Sequence, residues 1–213
     1  MLQIIFDPSI GVYSQRWFGR FWCWLVLVIP TAVLGQNADI FESQHHNFRL
    51  VTVAKGLSHP WSMAFLGDGD LLVTERPGRL RIIRDGNLLA EPVKGIPDVR
   101  VGGQGGLQEV LPHPNFESNR LLYLSYAKAN DDGSEGTTAV VRGRFEGNRL
   151  TDIEEIFEAV AWTEGRGHHG AKLAFSDNGY LFVTVGDRQS PPRGVTWKVT
   201  QLRISQTILG LLT

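Results

Sequence analysis

The sequence predicts an all-β fold, and three observations lead to this prediction. The 213 residues are 42% hydrophobic and include 24 glycines, which separate short apolar runs as turns separate strands. No segment has a convincing helical period. Three segments share one pattern, in which a short apolar strand and a turn of Gly, Asp, Asn or Ser precede a second apolar strand.

The three segments predict consecutive blades of a β-propeller. Their second strands begin at Leu71, Leu121 and Leu181, and in the first segment a third strand, "RLRIIR", follows an "RPG" turn. Repeats of about this length with several strands per unit are typical of propeller blades, whereas a β-sandwich does not explain the recurring spacing. Because a ring needs about four to eight blades, residues 39–193 are predicted to be the N-terminal part of a larger propeller.

Residues 1–38 are predicted to be a secretory signal peptide and a short linker. Arg16 and Arg20 precede an apolar stretch over residues 21–34, which is shorter than the roughly 20 residues that a membrane-spanning helix needs. The alternative is an uncleaved membrane anchor. Cys23, the single cysteine, lies in this stretch, so the mature chain would contain no thiol and no disulfide. We expect a periplasmic or secreted bacterial protein without stable membrane association after cleavage.

The charge pattern does not favour a nucleic-acid partner. The formal net charge is -1, and the basic residues are scattered rather than grouped in a run.

Two adjacent histidines are candidates for chemistry. His168 and His169 lie in "GRGHHGAKLAF", a glycine-rich loop before a strand, and such loops open onto the central channel of a propeller. A neutral imidazole there can accept a proton near physiological pH. The alternative is that one ring caps a turn and the other faces solvent.

Asp187 and Gln104 are the other candidates. Asp187 follows the strand that pairs with the one after His168, and a hairpin brings its two outer ends together. A carboxylate there would orient the imidazole, although a turn cap is the alternative. Gln104 lies in "VGGQGGLQEV", before the second segment, where its amide could bind a sugar hydroxyl or a quinone oxygen. The alternative is a solvated turn.

Four motifs in this order resemble those of the soluble quinoprotein (PQQ-dependent) glucose/sorbosone dehydrogenase family, and of its aldose sugar dehydrogenase subgroup in particular. They are "GLSHPWSMAF", "LLVTERPGRL", "GGQGGLQEVLPHPNF" followed by "LLYLSY", and "HHGAKLAF…GYLFVTVGDR". The resemblance runs from about Phe48 to Arg188.

The resemblance implies a six-bladed propeller with pyrroloquinoline quinone (PQQ) over the channel mouth. It also implies oxidation of an aldose C1 hydroxyl to the lactone, with hydride transfer to the quinone. His168 would be the general base and Asp187 would orient it. Gln104 would face the substrate and cofactor, and we place His169 with it among the substrate- or cofactor-binding residues.

Calcium and an electron acceptor are further expectations from the resemblance. The family's calcium ligands, and the arginines and lysine that grip the quinone carboxylates, lie in later blades, so no metal ligand is predicted in this chain. A calcium-dependent propeller lactonase and a non-enzymatic propeller that binds carbohydrate or protein are the alternatives.

Residues 194–213 are predicted to be a noncognate tail that fits no blade. Trp197 has a single codon, so a frame one base earlier must place GAA, for Glu, across Trp197 and Lys198. Permitted choices elsewhere give "GDLEGHPAQDLSNHLGTI", whose last eleven letters are similar to the family's continuation after "GDR". The sequence therefore predicts a frameshift close to Gly194, and a chain that is inactive and poorly soluble as written.

Overall fold

The chain divides into two compact units, Met1–Val53 and Ala54–Thr213, in a computed structural model that describes residues 2–5, 40–189 and 200–202. The first unit contains a three-stranded antiparallel sheet of order β1-β3-β2. Its strands are β1 Leu2–Ile5, β2 Ile40–Phe41 and β3 Phe48–Thr52. Apart from Leu2–Ile5, the predicted signal peptide lies outside the described residues. No helix in the described ranges has the length and apolar character needed to cross a membrane.

The described part of the second unit consists of three antiparallel sheets in which consecutive strands pair, as in propeller blades. The first blade comprises β4 Pro60–Phe65, β5 Leu71–Glu75, β6 Arg79–Arg84 and β7 Asn87–Leu88. The second comprises β8 Leu107–Pro112, β9 Leu121–Ala129, β10 Gly136–Glu146 and β11 Arg149–Glu158. The third comprises β12 Gly170–Phe175, β13 Leu181–Val185 and β14 Thr200–Leu202.

The observed strands confirm the all-β prediction and its repeat. The second strand of each blade begins at Leu71, Leu121 or Leu181, and "RLRIIR" is β6. A single helical turn, α1 Phe116–Asn119, interrupts the connection between β8 and β9. Its one buried residue, Phe116, fills the core, so the turn belongs to the blade rather than to a separate helical layer.

The first strand of every blade carries a bulge at the same place. Its register against the second strand shifts by one residue between Pro60 and Met63 in β4, and the same shift recurs in β8 and β12. A hydroxyl from the second strand accepts the N–H of the bulged residue each time. The three pairs are Ser62 N to Thr74 Oγ1, Glu109 N to Ser125 Oγ, and Lys172 N to Thr184 Oγ1.

Two of these hydroxyls join neighbouring blades. Thr74 donates to the carbonyl of Gln108 at 2.5 Å, and Ser125 donates to the carbonyl of Ala171 at 2.6 Å. Each bond reaches the bulge of the next blade, so buried side-chain hydrogen bonds fix the spacing of the first strands.

Two apolar cores lie between adjacent blades. Leu122 and Leu124 of β9 pack in the cluster shared with the first blade, whereas Leu121 and Tyr123 pack in the cluster shared with the third. The alternation follows from the strand period of two, which sends successive side chains to opposite faces of a sheet. The second blade is therefore buried on both faces.

The tail differs from the prediction at three residues. Thr200–Leu202 form β14 and pair with β13, so this segment does extend a blade. Main-chain hydrogen bonds of a sheet use groups that nearly every residue carries, so the pairing does not depend on which reading frame supplied the side chains. The other tail residues lie outside the described part of the chain, and the frameshift stays a prediction.

Candidate active site

Two glycine-rich loops meet at one end of the blades because each directly precedes a first strand. The loop that contains Gln104 leads into β8, and the loop that contains His168 leads into β12. Antiparallel pairing places Gly170 of β12 opposite Val185 of β13, so the residues that follow β13 lie at the same end. Asp187 is two residues past that strand end.

His168 and Asp187 form the predicted pair. The Nδ1 atom of His168 lies 2.8 Å from Oδ1 of Asp187, and both side chains are partly exposed. The Gln189 N–H, which donates to the same carboxylate oxygen at 3.0 Å, and His168 together hold the pKa of Asp187 below its usual value. Asp187 is thus ionised at neutral pH and favours the tautomer of His168 that carries its proton on Nδ1. Nε2, which makes no hydrogen bond with a described residue, is left as the proton-accepting atom.

Gln104 contacts the histidine main chain. Its Oε1 accepts the His168 N–H at 2.8 Å, and its own N–H donates to the carbonyl of Arg166 at 2.8 Å. The structure therefore brings all three of these predicted residues together. The Gln104 amide oxygen, however, accepts a hydrogen bond from the His168 backbone rather than facing a ligand. Gln104 is exposed beside His168, and binding of a ligand by its NH₂ group stays a prediction.

The backbone at His168 has the left-handed conformation, with φ 47, which few residues other than glycine adopt. Gly186 lies directly against it. A Cβ atom on Gly186 would be 2.0 Å from the carbonyl oxygen of His168, a separation that no side chain can have. The glycine of the "GDR" motif is therefore required by the close approach of its backbone to the carbonyl group of His168.

His169 does not have the position that the sequence analysis gave it. Its side chain is 2% exposed, and neither ring nitrogen has a hydrogen-bond partner among the described residues. Burial, together with the charges of Arg188 and Arg100, lowers the pKa of His169 to about 4. A ring held under the loop does not reach a substrate at its surface. The available signal was its position in the alternating pattern of the strand. His169 lies two residues before Ala171 and four before Leu173, and all three side chains are buried.

Acid is expected to destabilise the fold through His169. The unfolded side chain has a pKa of about 6.5, so the unfolded state binds more protons than the folded one as the pH falls towards 4. Stability present at neutral pH is then lost on acidification, by up to about 3 kcal/mol for a shift of this size. His169→Phe should remove this part of the loss in urea titrations at a series of pH values. The exposed His45→Gln variant should behave as the unsubstituted chain does, and parallel acid profiles for the unsubstituted chain and His169→Phe would contradict the assignment.

Sequence reasoning did not find the main-chain contacts that three arginines make around the site. Arg76 donates to the carbonyl of Gly103 at 2.7 Å, and Arg100 donates to the carbonyls of Ser134 and Gly165. Arg188 donates from Nη1 to the carbonyls of both histidines. Their position in or near the glycine-rich runs was the available signal, because such loops leave carbonyl groups without partners in a sheet.

Among the described residues, no three His, Cys, Asp or Glu side chains lie close enough together to bind a metal ion. The described site therefore consists of a histidine–carboxylate pair, an amide and main-chain clamps.

The fold and the site define a β-propeller protein with a histidine–aspartate pair at the entrance of a blade. Residues 57–202 match the Glucose / Sorbosone dehydrogenase family, and the chain belongs to this family. The resemblance inferred from the four motifs is thereby confirmed.

Three relatives illustrate the similarity. The aldose sugar dehydrogenase YliI of Escherichia coli is 40% identical over 64% of this chain and 37% of its own length. A crystal structure of a glucose dehydrogenase is 43% identical, with a TM-score of 0.62 over 66% of this chain and 41% of that one. The PQQ-bound aldose sugar dehydrogenase of Streptomyces coelicolor is 25% identical, with a TM-score of 0.57 over the same shares of the two chains. The chain thus spans about two fifths of the length of these relatives.

Proposed function

We propose that this chain carries the proton-accepting part of a PQQ-dependent aldose dehydrogenase. The observation that supports this most directly is the 2.8 Å contact between His168 Nδ1 and Asp187, with a partly exposed imidazole on the loop before β12. The similarity to an aldose sugar dehydrogenase and to a PQQ-bound member of that class supports the substrate and the cofactor.

His168 is assigned the role of general base towards the C1 hydroxyl of the aldose. Nε2 accepts the hydroxyl proton, and the resulting imidazolium is stabilised by the ionised Asp187 at Nδ1. Gln104 fixes the backbone from which the ring projects, because its Oε1 accepts the His168 N–H. These contacts keep the His168 imidazole in one tautomer and one orientation, as a positioned general base requires.

The described residues fit only part of the quinone. An anionic cofactor with several carboxylates needs several cations, yet Arg76, Arg100 and Arg188 donate to main-chain carbonyls. Arg166, which lies against Gly102, has an exposed side chain and is one cation open to an anion on this face. The oxidation itself is the chemistry of the cofactor, and no step through it is assigned to these residues.

A chimera tests the proposal. Residues 57–189 replace the matching segment of the Escherichia coli aldose sugar dehydrogenase, and dye reduction by aldoses is measured with and without PQQ and calcium. We expect aldose-dependent reduction only when PQQ is present, because the transplanted segment supplies the base and the rest of the host supplies the remaining blades.

Other outcomes separate the alternatives. A folded chimera that binds PQQ but reduces no dye would overturn the proposed function. Hydrolysis of lactones with calcium alone would indicate a lactonase, and carbohydrate binding that persists after His168→Ala without any turnover would indicate a binding propeller.

A further inference from the structure

Arg188 is buried without a carboxylate partner among the described residues. Its side chain is 1% exposed, and Asp187, the acidic residue whose charge acts on it, makes no direct ion pair with it. Nε and Nη2 have no hydrogen-bond partner in the described ranges. A buried guanidinium usually pairs with an anion, because removing the charge from water is costly. The position of Arg188 therefore calls for an explanation other than an ion pair.

The hydrogen bonds of Arg188 converge on the backbone of the candidate base. Its Nη1 lies 3.3 Å from the carbonyl oxygen of His168 and 3.2 Å from that of His169. The Arg188 main-chain N–H donates to the His168 carbonyl as well, at 3.2 Å. Thr138 of β10 completes the cluster, because its hydroxyl donates to the His169 carbonyl at 2.9 Å and lies 3.2 Å from Nη1.

His168 needs such support. Its left-handed backbone is unfavourable for a residue with a side chain, because Cβ then approaches the carbonyl oxygen too closely. Gln104 holds the N–H of His168, and Arg188 holds the carbonyl, so the residue is held on both sides. A different backbone angle would turn the ring away from Asp187.

We propose that Arg188 is a positioning residue for the candidate base: its buried guanidinium holds the carbonyls of His168 and His169 and so keeps the His168 ring on Asp187. The inference rests on the proposed function for its catalytic meaning, but the positioning itself is a property of the unloaded chain. It does not require that the cofactor bind.

NMR of isotope-labelled histidine ring nitrogens in the full chain tests this. In the unsubstituted chain the His168 signals should report a single tautomer protonated on Nδ1, with assignment by His168→Gln. Arg188→Met, which keeps the length of the side chain and removes its donors, should shift the His168 signals to the average of an unrestrained imidazole. In the chimera described above, we expect kcat to fall on the order of a hundredfold with KM little changed.

Arg81→Met is the matched control. Arg81 also donates to main-chain carbonyls, those of Leu89 and Ala90, but it lies in the first blade. Its loss lowers stability without reaching His168, so the ring signals should stay as they are in the unsubstituted chain. An equal shift in both variants would mean a general loosening of the fold and would overturn the proposal.

Thr138→Val covers the case in which Arg188→Met does not fold. This variant keeps the side-chain volume at position 138 and leaves Arg188 and its charge in place. It removes the hydroxyl that contacts both Nη1 of Arg188 and the His169 carbonyl. We expect a shift of His168 in the same direction. Unchanged His168 signals in a folded Arg188→Met chain, or in Thr138→Val where the former is unfolded, would overturn the proposal. A chimera without dye reduction would refute the dehydrogenase function and leave the NMR result standing.

Discussion

His168→Ala is expected to lower kcat of the chimera by a factor of about 10²–10⁴, the usual contribution of a positioned general base. The substitution removes the imidazole that accepts the hydroxyl proton and leaves the aldose-binding surface otherwise intact. We therefore expect the loss in kcat, with a smaller change in KM. Steady-state dye reduction with PQQ and calcium present measures both constants.

His169→Ala is the matched control, since it removes the neighbouring imidazole. His169 is buried and its pKa is lowered to about 4, so its ring is neutral at working pH and has almost no exposed surface. It should cost much less activity than His168→Ala, although it should lower stability. A larger loss of kcat at His169 would mean that the wrong imidazole had been assigned as the base.

Glu75→Ala is expected to lower the free energy of unfolding by about 3–5 kcal/mol, the usual cost of removing one partner from a buried ion pair. The side chain of Glu75 is fully buried at the end of β5. Burial alone would raise its pKa, but the Ser58 N–H and the charges of Arg79 and Arg81 outweigh it and hold the pKa below the usual value. The variant would leave Arg81, which is mostly buried, without its carboxylate.

Urea unfolding at neutral pH measures this loss, with Glu91→Ala as the control. Glu91 is exposed in the connection after the first blade, so its removal should change stability by less than about 0.5 kcal/mol. Equal unfolding midpoints for Glu75→Ala and Glu91→Ala would show that the buried ion pairs contribute nothing to the first blade.

The pairing of Glu75 was not available from the sequence. Glu75 and Arg76 are neighbours in the "TERPG" run, but their side chains point in different directions. Glu75 reaches Arg79 and Arg81, whereas Arg76 reaches the carbonyl of Gly103. Adjacent residues near a strand end project to opposite faces of the sheet. The hydrogen-bond or ion-pair partner of each side chain therefore depends on the element that packs against its own face.

Strand positions could be predicted because they depend on local pattern. The starts at Leu71, Leu121 and Leu181 follow from apolar alternation and from turns that contain glycine. The contact between His168 and Asp187 could be predicted for the same reason, because the two ends of one hairpin are neighbours whatever surrounds the hairpin.

Contacts between blades were decided only by the tertiary structure. Gln104 binds the backbone of a residue 64 positions later, and Arg188 reaches Thr138, 50 positions earlier. His169 was assigned to the open surface on its residue type alone, although the packing of blades buries it. The sequence by itself determined which segments form strands and which hairpin presents a histidine to an aspartate. How that histidine is held depends on loops from separate blades. The packing of the buried sheet faces brings these loops together, and no periodic pattern in the sequence indicates which loops will meet.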